Sequence, residues 1–213
     1  MKAFSLHGFF VFKKGDKMNQ VEFFNQIAKE WDSIIEVNEE KINTLLSKLN
    51  IIDNSKVLDI GTGTGVLIPF LKSLNPNGYI KGVDISSEML NVAREKFRNI
   101  EKVSFELVDV ENDVINETYD SIVLYSMFPH LKDKTNTIKK LVEKNLGKSG
   151  QLIIAHSNSR AFLNNMHKEK NECVSEDRLI PVIEQRCLFE KAGLKVVDAF
   201  EDNEIYYLVI KRC

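Results

Sequence analysis

The chain is poor in the residues that mark several classes of protein. Its cysteines, Cys173, Cys187 and Cys213, are an odd number at long spacings without a CxxC pair, which favours reduced thiols in a cytoplasmic protein. No stretch approaches 18 consecutive apolar residues, so we predict no membrane-spanning helix. Only 10 glycines and 4 prolines occur, and they punctuate the chain rather than form a repeat or low-complexity segment.

An excess of charge of one sign is also missing. Lysine and arginine total 29 against 31 aspartates and glutamates, and neither sign forms a long block. A general nucleic-acid binder or a binder of anionic membranes needs a basic patch, so we expect neither partner. With 213 residues, 43% of them hydrophobic, the chain is long enough to bury a sizeable core without disulfides or metals.

The chain is predicted to form one domain over residues 18–213. Residues 1–17 look a little like a signal peptide, but the apolar run contains His7 and Gly8 and no small-residue cleavage site follows. We therefore interpret 1–17 as an extension, and the sequence leaves its order open.

Hydrophobic spacing predicts an α/β fold. Apolar residues at three- and four-residue steps over 19–50 indicate two helices before a first strand at 57–60. Further strands near 78–84, 103–108, 119–125 and 150–156 alternate with helical segments near 87–98 and 132–146, which predicts a doubly wound parallel sheet with helices on both faces. Segments 194–200 and 204–210 are too close for a crossover helix, so they form an antiparallel hairpin at one sheet edge.

A glycine-rich loop follows the first strand. The segment VLDIGTGTGVL places Gly61, Gly63 and Gly65 between a strand and a helix, where missing side chains let a ligand approach and backbone amides point at it. The dinucleotide fingerprint needs a further glycine at position 66, which is valine, so the spacing is GxGxG. A loop of this kind is often only a tight turn, and Asp59 alone could be a helix N-cap.

Two further acidic residues end the next strands. Asp84 ends the second strand and could accept hydrogen bonds from both hydroxyls of a ribose, while Asp109 after the third could accept from an exocyclic amino group. Met89 fits either an adenine contact or the plain core of a helix. Because Asp59, Asp84 and Asp109 would repel a pyrophosphate, the set favours a phosphate-free, cationic nucleoside.

Together, these motifs resemble the class I S-adenosylmethionine-dependent methyltransferases over nearly the whole chain after the extension. The resemblance implies a seven-stranded, mostly parallel sheet with an antiparallel last strand, and residues 18–50 as helices that fold over the cofactor. It implies S-adenosylmethionine as cofactor and S-adenosylhomocysteine as product. The residues that it assigns to the cofactor are Asp59, Gly61, Thr62, Gly63, Gly65, Asp84, Ile85, Met89, Asp109, Val110 and Tyr125.

The fourth strand ends in YSMFPHL, which is expected to face the reacting methyl group. This stretch resembles small-molecule methyltransferases of the ubiquinone and menaquinone biosynthesis type, which often carry a histidine where this chain has His130. It lacks the paired prolines of nucleic-acid amino methyltransferases, so we expect a small-molecule acceptor. His156 ends the fifth strand at the same rim. Either imidazole is a candidate catalytic base, although a histidine at a strand end is often structural.

We assign Trp31, Phe128 and Arg160 to the acceptor. Arg160 begins the long connection 158–178, an acceptor-side insertion, and could hold a carboxylate or phosphate, but a solvated helix face explains it equally well. An aromatic stripe that includes Trp31 is usually core. A metal site could be formed by His156, His167 and Cys173. Their spacing matches no common zinc pattern, so we predict no metal.

The sequence therefore predicts an enzyme that transfers a methyl group to a small molecule by in-line displacement. Two alternatives stay open. A noncatalytic binder would keep the cofactor site alone, and a nicotinamide-dependent oxidoreductase would share the sheet and Asp84. The acceptor, the atom methylated and the oligomeric state are not specified by the sequence.

Overall fold

A computed structural model describes residues 19–170 and 177–212 of the chain. The predicted extension at 1–17, Cys173 and Cys213 lie outside these residues, as does part of the insertion at 158–178.

Helices and strands alternate along most of the chain. The helices are α1 (Gln20–Ile27), α2 (Trp31–Ile34), α3 (Glu39–Leu46), α4 (Ile68–Leu74), α5 (Ser87–Phe97), α6 (Lys134–Lys140), α7 (Arg160–Lys170) and α8 (Val182–Lys191). The strands are β1 (Lys56–Ile60), β2 (Tyr79–Asp84), β3 (Val103–Leu107), β4 (Tyr119–Tyr125), β5 (Leu146–His156), β6 (Lys195–Glu201) and β7 (Tyr206–Lys211).

The strands form one seven-stranded sheet in the order β3-β2-β1-β4-β5-β7-β6. Strands β1 to β5 pair in parallel, whereas β7 pairs antiparallel with both β5 and β6. This confirms the predicted doubly wound fold, including the hairpin at the sheet edge. Strand order reverses at β1, which lies between β2 and β4, so the crevice beyond the carboxyl ends of these strands is where such sheets bind ligands.

The sheet is buried on both faces because apolar residues occupy consecutive strand positions. Ile122 and Leu124 of β4 belong to one hydrophobic cluster, and Val123 between them belongs to the cluster on the opposite face. Successive side chains of a strand point to opposite sides of the sheet, so a continuous apolar run needs helices on both. Because helices cover both faces of the sheet, polar ligands can reach it only at its edges, and the carboxyl ends of the strands form one of these.

The amino-terminal helices differ from the prediction. Three short helices stand where two were expected, because α1 ends at Ile27 and α2 contains only four residues before Asn38 caps α3. The apolar spacing continues through the break, so periodicity alone did not reveal it. A π turn at Leu141–Asn145 similarly ends α6 early, and β5 begins at Leu146, ahead of the predicted strand.

Among the residues that the structure describes, no helix has the length and apolar content needed to cross a membrane.

Candidate functional site

The glycine loop lies between β1 and α4, at the carboxyl edge of the sheet. Gly61, Gly63 and Gly65 all have positive φ, of 69°, 54° and 83°. A Cβ on Gly61 would come within 2.6 Å of Met127, and one on Gly65 would collide with Phe97. A Cβ on Gly63 would meet only the Trp31 indole, at 3.8 Å. All three glycines were expected to make room for a ligand. The structure gives that role to Gly63 alone, because Met127 and Phe97 already fill the space beside Gly61 and Gly65.

The amides of this loop were predicted to point at a ligand. Instead, four of them are hydrogen-bonded within the protein. Gly61 and Thr62 donate to the carbonyl of Val83, at 2.8 and 3.0 Å, and Gly65 donates to the carbonyl of Thr62 at 2.8 Å. These bonds tie the loop to β2 and fix its shape without a ligand. The amide of Gly63 donates to the Asp84 carboxylate, with 2.8 Å between Gly63 N and Asp84 Oδ2.

Asp59 lies beneath the loop rather than beside the crevice. Its side chain is fully buried, and its Oδ2 accepts a hydrogen bond from the Thr62 hydroxyl at 2.6 Å. Burial raises the pKa of Asp59 to about 7, and the nearby charge of Asp84 acts in the same direction. The hydrogen-bond donor is the Thr62 side chain, which is in the loop and not in a helix. Asp59 therefore positions Thr62 and does not cap a helix.

Asp84 occupies the rim as predicted. Its Oδ1 accepts from the amide of Ser86 at 2.9 Å, and its Oδ2 accepts from Gly63. Burial raises the pKa of Asp84, and the backbone donors oppose this shift only in part. A carboxylate has about four acceptor positions, so these two bonds leave capacity for hydroxyl groups of a ligand.

Asp109 forms a turn after β3. Its Oδ1 accepts from the Glu111 amide at 2.9 Å and its Oδ2 from the Asn112 side chain at 2.7 Å. Partial burial would raise the pKa of Asp109, but these hydrogen bonds outweigh it and lower the pKa. The turn thus keeps Asp109 ionised and already uses one acceptor position on each oxygen.

The amino-terminal helices cover the loop. Met89 is buried with Ile27 and Ala28, and Phe24 and Trp31 pack against this cluster. Met89 is therefore core between α1 and α5, which is the alternative that the sequence left open. Ile85 is half-buried and Val110 is buried at the same rim.

Two polar residues fasten this cover to the glycine loop and to α5. Asn25 Oδ1 accepts from the Ser86 hydroxyl at 2.7 Å. Asp32 accepts from the Thr64 hydroxyl at 2.5 Å and pairs with Lys96 at 2.6 Å. The roles of Asn25 and Asp32 were not predicted from the sequence, because their partners lie more than 30 residues away.

The predicted acceptor residues occupy different environments. Trp31 lies over Gly63. Tyr125, which was assigned to the cofactor, has its hydroxyl 2.7 Å from Ser157 Oγ. Phe128 is fully buried and packs against Phe189, so in this structure it is core and cannot contact an acceptor. Arg160 Nε pairs with Glu201 Oε2 at 2.8 Å, so part of the guanidinium that we assigned to a ligand anion is bound to the protein itself.

His130 and His156 follow neighbouring strands, β4 and β5, as expected, but differ in environment. His130 Nδ1 lies 2.6 Å from Asp177 Oδ2, and both side chains are partly exposed. His156 is fully buried, and neither ring nitrogen has a hydrogen-bond partner within the described residues. Burial lowers the pKa of His156 to about 3, so its imidazole is neutral and a poor base.

No group of three histidines, cysteines or acidic residues in the described ranges is arranged to hold a metal ion. The set of His156, His167 and Cys173 includes a residue outside those ranges, so the structure does not test it. Asp177 was missed by sequence reasoning because it lies 47 residues after His130.

The comparisons with known proteins agree with this architecture. Residues 51–210 match the family model described as a methyltransferase domain. A malonyl-[acyl-carrier protein] O-methyltransferase of Acetivibrio thermocellus is 34% identical over 122 residues, which are 56% of this chain and 43% of that protein. A protein of the same name from Bacillus cytotoxicus is 27% identical over 86% of this chain and 65% of its own length. The chain thus spans about half to two thirds of these relatives.

Solved structures show the same fold. A S-adenosylmethionine-dependent methyltransferase from Aquifex aeolicus superposes with a TM-score of 0.68 and 19% identity, covering 89% of this chain and 98% of that one. Since the family model covers most of the chain and all of the sheet except the last residue of β7, the chain belongs to the methyltransferase domain family.

Proposed function

We propose that this chain transfers a methyl group from S-adenosylmethionine to a small-molecule acceptor at the carboxyl edge of β1 and β4. The observation that carries the proposal is the contact between Gly63 and Asp84: a loop glycine covered by the Trp31 indole, beside a carboxylate with acceptor capacity to spare. Both lie where the strand order reverses.

The residues at this edge fit a nucleoside that carries no phosphates. Asp84 would accept from the ribose hydroxyls, Gly63 would let the sugar approach the backbone, and Ile85 and Val110 would flank the base. Asp109 keeps one acceptor position on each oxygen for an exocyclic amino group. Asp59 and Thr62 would not contact the nucleoside. Their hydrogen bond would stabilise the conformation of the glycine loop.

The bound cofactor supplies an electrophilic methyl group on a sulfonium, which leaves as a neutral thioether. The chain's own contribution is alignment and exclusion of water, and Trp31 and Phe24 of the covering helices provide apolar surface for the second task. Positive charge fades in the transition state, so a carboxylate beside the sulfur would favour the ground state. Asp84 is better placed at the sugar, away from the reacting atoms.

The site must open for the cofactor to enter. Trp31 of the α1–α2 cover lies against Gly63 in this structure, so this cover has to move by rotamer change or by undocking. Its polar fasteners, Asn25 and Asp32, are partly exposed, and exposed pairs of this type contribute little stability. The polar pairs therefore add little to the cost of opening, which is set by the apolar cluster of Ile27, Ala28 and Met89.

Calorimetry with S-adenosylhomocysteine tests the cofactor site. Asp84→Ala removes the acceptor of two ribose hydroxyls, and at about 1.5 kcal/mol or more for each hydrogen bond to a charged group, we expect binding to weaken roughly 100-fold. The control Glu143→Gln alters an exposed carboxylate in the turn before β5, at the other end of that strand, and should bind as wild type does. An unchanged dissociation constant for Asp84→Ala, or a thermal shift with NAD but not with S-adenosylhomocysteine, would refute the site.

Tritiated methyl donor with fractionated cell extract tests catalysis and identifies the acceptor. We expect label in a small molecule, in keeping with the mild net charge that argues against nucleic acid and membranes as partners. Label on a carrier protein would instead match the names of the relatives. Tight cofactor binding with no label in any fraction would indicate a noncatalytic binder. The same proposal puts the reaction in the cytoplasm, on the grounds of an odd number of cysteines without a CxxC pair.

A further inference from the structure

We propose that Asp177 is a positioning residue that fixes His130 as the general base, so that the acceptor is a hydroxyl, phenol or thiol group that must lose a proton. This inference rests on the proposed methyl transfer and deepens it. It assigns a partner to His130 and narrows the chemical class of the acceptor.

The contact between the two side chains determines which nitrogen can act. His130 Nδ1 lies 2.6 Å from Asp177 Oδ2. An ionised carboxylate only accepts hydrogen bonds, so Nδ1 carries the hydrogen and Nε2 keeps the lone pair. A carboxylate that holds an imidazole in one tautomer, and stabilises the imidazolium that forms, is the way a weak base becomes an effective one.

Asp177 is itself held in place. Its backbone carbonyl lies 2.6 Å from His167 Nδ1, on α7. Two residues later, Leu179 and Asn164 of α7 exchange a pair of hydrogen bonds, each 2.9 Å long. The segment that carries Asp177 is thus attached to α7 at two points, and a carboxylate on an anchored segment can orient a ring better than one on a free side chain.

The His130 ring packs against the helices that cover the glycine loop. Its centroid lies 5.5 Å from that of Phe24, which lies 5.8 Å from that of Trp31, and Trp31 in turn covers Gly63. On its other side the His130 ring lies 5.3 Å from that of His167 on α7. The imidazole therefore lies between the α1–α2 cover and α7, and we place the acceptor on this side of the cofactor loop.

His156 does not compete for this role. It is buried without a partner for either nitrogen among the described residues, and its pKa of about 3 leaves it neutral. Neutral imidazole with so low a pKa accepts a proton poorly near pH 7. Of the two histidines that the sequence offered, the geometry selects His130.

The proton and electrons of the step balance as follows. An oxygen or sulfur lone pair of the acceptor forms the bond to the methyl carbon, while the carbon–sulfur bond of the sulfonium breaks and its electron pair stays on sulfur. The acceptor's proton passes to His130 Nε2, and the resulting imidazolium keeps its Nδ1–H bond to Asp177. The single positive charge is on sulfur before the step and on the imidazole after it. The imidazolium then returns its proton to water. A carboxylate acceptor has no proton to give and gains nothing from this pair.

Kinetics of Asp177→Asn test the role of the carboxylate. Asparagine has the same shape but can also donate to Nδ1, so it no longer selects one tautomer. With tritiated methyl donor and panels of simple phenols, thiols and matched carboxylic acids, we expect turnover of a phenol or thiol. We expect kcat to fall about 100-fold in Asp177→Asn, which is the usual contribution of a general base. Binding of S-adenosylhomocysteine should stay at the wild-type value, Asp177→Glu should recover part of kcat, and Asp53→Asn, before β1, should behave as wild type.

Nitrogen NMR of histidine-labelled protein tests the geometry without an acceptor. The chain has four histidines, and His130→Gln identifies the signal of His130 by its loss. We expect wild-type His130 to be the Nδ1–H tautomer and Asp177→Asn to give a mixture. The tautomer tests the geometry, and the fall in kcat with unchanged cofactor binding separates a positioning role from a purely structural one.

Three results would overturn the inference: an Nε2–H tautomer in the wild type, kcat within about threefold of wild type in Asp177→Asn, or turnover of carboxylic acids alone. Failure of the wild type to bind S-adenosylhomocysteine would instead defeat the proposed function, so the two failures are distinguishable. If Asp177→Asn does not fold, the wild-type tautomer still decides.

Discussion

The buried carboxylate of Asp59 predicts that the protein loses stability as pH rises. Its pKa is about 7 in the folded chain, against an ordinary value of 3.8. Between these values the folded chain binds more protons than the unfolded chain, so the free energy of unfolding decreases with increasing pH. A difference of about three pH units at roughly 1.4 kcal/mol per unit sets an upper limit of about 4 kcal/mol for this loss.

Asp59→Asn removes the ionisation and keeps the shape. The amide oxygen can still accept from the Thr62 hydroxyl, as Oδ2 does at 2.6 Å in the wild type. We therefore expect the variant to be more stable than wild type by about 1 to 4 kcal/mol at pH 8, and the advantage to vanish near pH 4.

Urea unfolding followed by far-ultraviolet circular dichroism at pH 4, 5.5 and 8 measures this. Trp31 fluorescence would be a poor probe, since that residue lies on the covering helices. Asp53→Asn is the matched control, because the Asn77 hydrogen bonds lower the pKa of the exposed Asp53 and the variant should gain nothing as pH rises. An Asp59→Asn variant that is less stable than wild type at pH 8, or a difference that does not vary with pH, would refute this account of the buried charge.

The remaining predictions concern packing. Gly61→Ala should destabilise more than Gly63→Ala, since both pay roughly 1 to 2 kcal/mol for a left-handed conformation but only the first collides with Met127; urea midpoints measure the order, and equal losses would count against it. Asp32→Ala should leave the melting temperature nearly unchanged while hydrogen exchange accelerates in α1 and α2; unchanged exchange would contradict the fastening role. Phe128→Ala should cost about 3 to 5 kcal/mol if that ring is core, and a loss below about 1 kcal/mol in urea unfolding would argue against core burial.

The arrangement of strands could be predicted because each carries its own local signal. The four-residue run VLDI before glycines, Asp84 at the end of β2, and the short link before β7 are all visible in the sequence. Parallel pairing then places Asp59 and Asp84 near the same edge, which the register confirms.

The roles of the side chains were harder to predict, because tertiary packing decides them. Asp59 and Asp84 are both acidic residues at strand ends, yet one is sealed under Thr62 and the other lies half-buried at the rim. His130 and His156 likewise lie at the ends of neighbouring strands, but among the described residues only His130 has a carboxylate partner, which comes from a distant segment. Sequence spacing carries no information about such contacts.

The shape of the glycine loop is fixed before any ligand arrives, because neighbouring side chains and the Val83 carbonyl hold it. A preorganised receptor spends little conformational entropy on association, so its affinity should depend on the carboxylates that line it. The same turn could then serve different nucleosides through changes at the rim alone. In this chain a GxGxG signature reports a requirement of the scaffold first, and the acidic neighbours carry the chemical selectivity.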